Sequence, residues 1–284
     1  MIKLIECPRD AMQGFGPYIM PNVKADYINT LLKIGFDTID FGSFVSPKAI
    51  PQLRDTSEVV KLLDLSATNT KLLAIIGNER GAKDAMNFEE IKYLGFPYSS
   101  SEKFLSLNIN TNKKDALLAI ENIQNSCSKN NKELIVYLSV AFGNPYNDNS
   151  DIEQIFDSIN SLYEIGIKTI NLADTLGLGK PGEISEVFSK VIPMYPYIDF
   201  GFHLHTTSYS WNKKVEAAYQ NGCNRFDSVM LGMGGCPMSA KEIIGNLSTE
   251  NLVSYFKFKN VELDLNEDYL AIAKEKAQKI FSQI

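Results

Sequence analysis

The sequence predicts an α/β protein folded as a (β/α)8 TIM barrel with additional C-terminal helices, and three observations lead there. Short apolar runs alternate with longer stretches of helical period. Eight such short runs can be picked out, which favours a closed barrel over an open doubly wound sheet. The chain has 284 residues, the length of one such barrel. A single domain over 1–284 is therefore expected, with the barrel over about 1–247 and a helical segment over about 248–284.

The candidate strands lie at 2–6, 38–41, 72–76, 91–96, 134–140, 169–172, 200–204 and 226–230. Several are almost wholly apolar, as parallel strands covered on both faces require. Between them, 23–34 carries a helical apolar stripe and ends at Gly35, a C-cap candidate. The stretch 152–165 repeats the design, with Ser150 or Asp151 as N-cap and Gly166 at its end. Segments 113–125, 184–192 and 213–221 behave similarly, and the tail reads as helices over 250–256 and 268–281.

Composition narrows the partners. A formal net charge of −6 argues against nucleic acid, whose phosphates call for a basic surface. No apolar run approaches the roughly 20 residues that cross a bilayer, so no membrane partner is expected. The N-terminus enters an apparent strand at once, which leaves no room for a signal peptide. Cys7, Cys127, Cys223 and Cys236 are scattered with no C-x-x-C pair, as in a reducing compartment, and a cytoplasmic location is expected.

In such a barrel the chemistry sits at the C-terminal strand ends. Arg9-Asp10 follows the first strand: a carboxylate there can hold a divalent ion, and an arginine can hold a carboxylate or a developing enolate. The same dipeptide also suits a salt-bridged surface loop. His203-Leu204-His205 closes the seventh strand and holds the only two histidines of the chain. Residues two apart on a strand point the same way, so both imidazoles can reach one ion. After the eighth strand, Gly232-Met233-Gly234-Gly235-Cys236-Pro237 reads as a mobile loop with a thiol for proton transfer, or as a turn with an incidental cysteine. Asn246 could add an amide oxygen to the ion or cap a helix. Asp174, ending the sixth strand, could orient a histidine, bind substrate or cap a helix. One carboxylate, two imidazoles and one amide oxygen make a mixed site that suits Mg²⁺ or Mn²⁺, with Zn²⁺ or Co²⁺ as other candidates.

These residues resemble the hydroxymethylglutaryl-CoA lyases, part of a wider group of metal-dependent barrel enzymes that make or break Claisen and aldol bonds. The resemblance covers about residues 6–252. It is carried by Pro8-Arg9-Asp10 with Gln13, Ser43-Phe44-Val45-Ser46-Pro47-Lys48, Asp174-Thr175-Leu176-Gly177, His203-x-His205, Gly234-Gly235-Cys236-Pro237 and Gly245-Asn246-Leu247. It implies cleavage of 3-hydroxy-3-methylglutaryl-CoA, or a close 3-hydroxyacyl-CoA, to acetyl-CoA and acetoacetate. By the same resemblance Asp10, His203, His205 and Asn246 would ligate the metal, and Arg9 would face the enolate of the departing acyl-CoA. The base that takes the hydroxyl proton would be Asp10 or His203. Cys236 would take part in proton transfer, across the subunit boundary of a homodimer. Gln13, Asp40, Ser43, Lys48, Asn78 and Asp174 would lie along the acyl-CoA. The chain departs from the pattern at Asp40, where similar lyases carry Glu, and at Thr206, Met238 and Asn144, where Asp, an aromatic and Cys are usual. None of these removes a ligand, but together they reshape the substrate side. Other readings are a related aldolase or condensing enzyme of the same group, or a barrel kept as a binding protein. The Gly-Gly-Cys-Pro loop argues against the first, and the intact ligand set against the second.

Overall fold

The computed structural model describes residues 1–146, 152–235 and 244–282. Eight parallel strands follow one another around a closed barrel: β1 (Lys3–Glu6), β2 (Thr38–Phe44), β3 (Lys71–Ile76), β4 (Ile91–Ser99), β5 (Glu133–Ser139), β6 (Thr169–Asp174), β7 (Asp199–Leu204) and β8 (Arg225–Ser228). Closure is the β1–β8 pairing, in register from Lys3 with Arg225 to Glu6 with Ser228. Every strand the sequence predicted is present.

The described helices are α1 (Pro8–Gln13), α2 (Pro21–Leu31), α3 (Thr56–Val59), α4 (Glu79–Ala85), α5 (Glu102–Ile109), α6 (Lys113–Lys129), α7 (Ile152–Ile165), α8 (Pro181–Met194), α9 (Trp211–Gln220), α10 (Thr249–Phe258) and α11 (Glu267–Phe281). Gly166 follows α7 directly with φ 89°, as predicted for a residue that ends a helix, whereas α2 stops at Leu31 with Leu32 as its cap, three residues before the Gly35 expected there (φ 101°). The N-cap foreseen at Ser150 or Asp151 lies outside the described residues. The short helices α1, α3, α4 and α5 carry too few turns to show a periodic stripe, and no helix was predicted for their segments. α1 has a local cause: Pro8 opens it, a position where proline's fixed φ suits a helix and its missing N–H costs nothing. Arg9 and Gln13, four apart, thereby come to share a face.

The core divides in two. Most of it lies between strands and helices, where β6 sends Ile170 and Leu172, both fully buried, into the main cluster. Truncating either to Ala should destabilise by about 2–5 kcal/mol. Inside the barrel a separate small cluster of Leu73, Ile135 and Tyr137 fills the axis. The alternation that sends Ile170 and Leu172 outward turns Asn171 and Ala173 inward, and on β7 it turns His203 inward toward the C-terminal mouth.

Candidate metal and substrate site

The site starts from α1. Arg9, only 8% exposed, donates from Nε (2.9 Å) and Nη2 (2.6 Å) to Asp40 Oδ2 on β2, and from Nη1 to Asp10 Oδ1 (3.1 Å) and Gln13 Oε1 (2.9 Å). Gln13 Nε2 donates to the same Asp10 oxygen. One side of the Asp10 carboxylate is therefore fully engaged, whereas the other, Oδ2, is buried with no hydrogen-bond partner. Burial alone would raise the Asp10 carboxyl, but Arg9 and the two histidines outweigh it and hold the group well below the usual carboxylate range. Asp40 goes the other way. Burial pushes it up to about 6 even though Arg9 opposes the rise.

The free Asp10 oxygen faces β7. It lies 3.5 Å from His205 Nε2 and 3.7 Å from His203 Nε2, and those two nitrogens are 3.1 Å apart. Each imidazole is anchored from behind: His203 Nδ1 contacts Asp227 Oδ2 at 2.9 Å, and His205 Nδ1 contacts the Thr175 carbonyl at 2.7 Å. Both partners only accept, so the hydrogen-bond network assigns the ring protons to Nδ1. Two Nε2 lone pairs and one carboxylate oxygen then converge with no proton among them. Donors about 2.1 Å from an octahedral ion lie about 3 Å apart, so this spacing fits a divalent cation, and Asp10, His203 and His205 could hold one. For His203, burial would lower the proton affinity, but Asp227 and Asp10 outweigh it and raise it.

Asn246 stands beside this trio through a bridge of its backbone with His205, and its Nδ2 donates to the Met233 carbonyl at 2.8 Å. With the amide nitrogen so engaged, the oxygen is the atom left to act as a ligand. Cys236 lies outside the described residues.

From the trio a cleft of about 540 Å³ opens between the loop after β2, the end of β3 and α5. Its buried end holds Arg9, Asp10, Gln13, His203 and His205, and apolar walls of Val45, Ile50, Ile76 and Phe104 lead outward. Asn78 lines the same cleft while its Oδ1 caps α4 through the Gly81 N–H (2.9 Å). Ser43 is buried below, its Oγ without a partner, and Lys48 is exposed on the rim loop. Asp174 is engaged elsewhere. Its Oδ2 pairs with Lys214 at 2.7 Å and its Oδ1 accepts from the Gly179 N–H at 3.1 Å. The acid that orients His203 is thus Asp227, not Asp174, which instead fastens α9 and the β6 loop to the barrel. Asp227 escaped the sequence reading, although an acid within a predicted barrel strand is the signal that marks it.

The comparisons with known proteins agree on one family. The HMGL-like family model matches residues 2–275. A hydroxymethylglutaryl-CoA lyase of Bacillus subtilis is 32% identical over 268 residues, 94% of this chain and 89% of its own. The human mitochondrial hydroxymethylglutaryl-CoA lyase is 31% identical over 256 residues, 89% of this chain and 77% of its own. Among solved structures, an HMG-CoA lyase of Acinetobacter baumannii in complex with coenzyme A and 3-methylmalate superposes with a TM-score of 0.91 at 28% identity, covering 99% of this chain and 92% of that one. With its barrel closed and its metal-competent trio at the mouth, the chain belongs to the HMGL-like family.

Proposed function

We propose that this protein is a divalent-metal-dependent carbon–carbon lyase that cleaves 3-hydroxy-3-methylglutaryl-CoA to acetyl-CoA and acetoacetate. The observation that carries the reading is the meeting of three ligand atoms, Asp10 Oδ2 and two imidazole Nε2 atoms, beside the Arg9 guanidinium at the end of a cleft. The named relatives are lyases of this substrate, and one solved relative binds coenzyme A.

In this reading Asp10, His203, His205 and Asn246 hold Mg²⁺ or Mn²⁺, as the oxygen–nitrogen donor set suggests. A bound ion would supply Lewis acidity toward the substrate hydroxyl and carboxylate. Asp10, with Oδ1 engaged by Arg9 and Gln13 and Oδ2 turned toward the two imidazoles, serves as a ligand. Asp40 and Gln13 hold the guanidinium of Arg9 toward the cleft, where its positive charge stabilises the enolate oxygen of the departing acetyl-CoA. Asn78 and the 43–48 segment border the thioester arm, and the apolar walls exclude water from the enolate.

The same reading covers one domain over 1–284, a cytoplasmic location and a homodimer in which Cys236 serves the neighbouring site. Among the described residues no helix is long and apolar enough to cross a membrane. A net charge of −6 speaks against nucleic acid as a partner. The test is release of acetyl-CoA and acetoacetate from hydroxymethylglutaryl-CoA with Mg²⁺, with Mn²⁺ and with chelator. Cleavage that chelator abolishes and either ion restores is expected. Metal binding without cleavage would overturn the substrate, and cleavage indifferent to chelator would overturn the metal.

A further inference from the structure

Beneath the three converging donors, the barrel axis holds a second polar layer whose placement follows from strand register. Asn171 on β6 pairs with Gly201 on β7, and Gly201 pairs with Arg225 on β8. Two residues further along, His203 on β7 and Asp227 on β8 face the same interior, one layer nearer the mouth. Gly201 matters because it lacks a side chain. A Cβ there would fall 2.2 Å from Asn171 Oδ1 and 3.0 Å from Arg225 Cδ. Through the room this leaves, the Asn171 amide reaches up to Asp227, its Nδ2 lying 3.1 Å from each carboxylate oxygen. Asp227 Oδ2 accepts at the same time from His203 Nδ1 at 2.9 Å.

Resting on the metal reading above, we infer that Asp227, clamped by Asn171, is the positioning residue that keeps the His203 proton on Nδ1 and so leaves Nε2 free for the ion. Two carboxylates compete for one ring proton. A neutral imidazole carries it on Nδ1 or on Nε2. Asp10 lies on the Nε2 side, with an oxygen that no donor satisfies, 3.7 Å away. Left to itself, that oxygen would draw the proton to Nε2, turn the ring slightly to hydrogen-bond it, and close the site to cations. Asp227 holds the proton on the other nitrogen, and it can do so only while its own rotamer is fixed. Asn171 fixes it by donating to both oxygens at once. The buried guanidinium of Arg225 lies a layer below, on the same strand. Ligating histidines depend on such a partner for tautomer and ring orientation.

Two full-length variants test this, Asp227→Asn and Asn171→Ala, each stripped of metal and titrated with Mn²⁺ by calorimetry. Side-chain ¹⁵N spectra of the metal-free proteins report the tautomer, and with only two histidines in the chain the signals can be assigned. Asp227→Asn should bind Mn²⁺ about 10- to 100-fold more weakly and show His203 protonated on Nε2, with the melting temperature kept. Asn171→Ala should weaken binding less, in the same direction. It carries the test by itself should Asp227→Asn fail to fold. Wild-type Mn²⁺ affinity and an Nδ1–H ring in either folded variant would overturn the positioning role while leaving the metal site intact. Wild-type protein that takes up neither Mn²⁺ nor Mg²⁺ would instead overturn the metal reading itself.

Discussion

At the N-terminal end of the barrel, Lys3 lies 2.8 Å from Asp199, Arg225 lies 3.5 Å from Asp37 and 3.9 Å from Asp199, and Lys71 lies 3.7 Å from Asp37. At the C-terminal end, Asp10 and Asp40 share one guanidinium and each keeps a buried oxygen without a partner. Glu6, where β1 ends, pairs with no cation among the described residues. It accepts from the Met230 N–H at 2.7 Å and from the Thr249 hydroxyl, and burial pushes it up to about 8. Both ends hold ion pairs, Asp174 with Lys214 among them, but at the C-terminal end Asp10 and Asp40 leave buried acceptors short of donors. An acceptor left unsatisfied in the interior costs folding free energy. Such groups are retained where something outside the chain completes them. The contrast separates a plug that closes the barrel from a mouth prepared for a ligand, and it can be broken from either side.

The largest effect should follow from Arg9→Gln. Losing the charge that faces the developing enolate should lower turnover by about 10²- to 10³-fold while the protein melts near its normal temperature. Steady-state kinetics alongside a thermal melt check this, and near wild-type rates would remove the enolate role. His205→Ala deletes one of the converging donors. Calorimetry should show Mn²⁺ affinity falling by at least the roughly 10–100-fold that losing an outer partner costs, and an unchanged affinity would argue against ligation.

Glu6→Gln should act on stability through pH. The folded carboxyl is raised from 4.5 to about 8, so its contribution is fully present below about 4.5 and is lost as pH rises through about 8. The amide carries no charge, so the variant should be the more stable at pH 8, by on the order of 4 kcal/mol, and nearly level with wild type at pH 4.5. Denaturant melts at the two pH values decide it, and parallel curves at both would mean that Glu6 does not titrate in this range. Asp37→Asn, at the other end, should be the mildest. Asp37 is partly exposed and Arg225 keeps Asp199, so a loss of at most about 1 kcal/mol with full activity is expected. A marked fall in turnover from this variant would erase the distinction between the two ends.

How much of this was legible depends on the range of the interactions involved. The apolar run at 169–172 announces a strand because a parallel strand is covered on both faces whatever its neighbours are. His203 and His205 announce a shared direction because the pleat has a period of two. Arg9 and Asp10 stand out by their place after a strand, although the helix that carries them was hidden by its six-residue length. The roles of Asp174 and Asp227 were not legible. Both are acids on barrel strands, and only closure shows that Asp174 meets Lys214, 40 residues away, while Asp227 meets His203, 24 away.

By itself, then, the sequence determined the repeated strand–helix unit, the barrel it builds and the residue types at its mouth, because these depend on local period and on chemistry that each residue carries with it. Tertiary structure alone decided which carboxylate binds Arg9, which orients His203 and which is sealed into an ion pair. Those choices are made by strand register and by the curvature of the closed barrel, which bring side chains tens of residues apart within about 3 Å of one another.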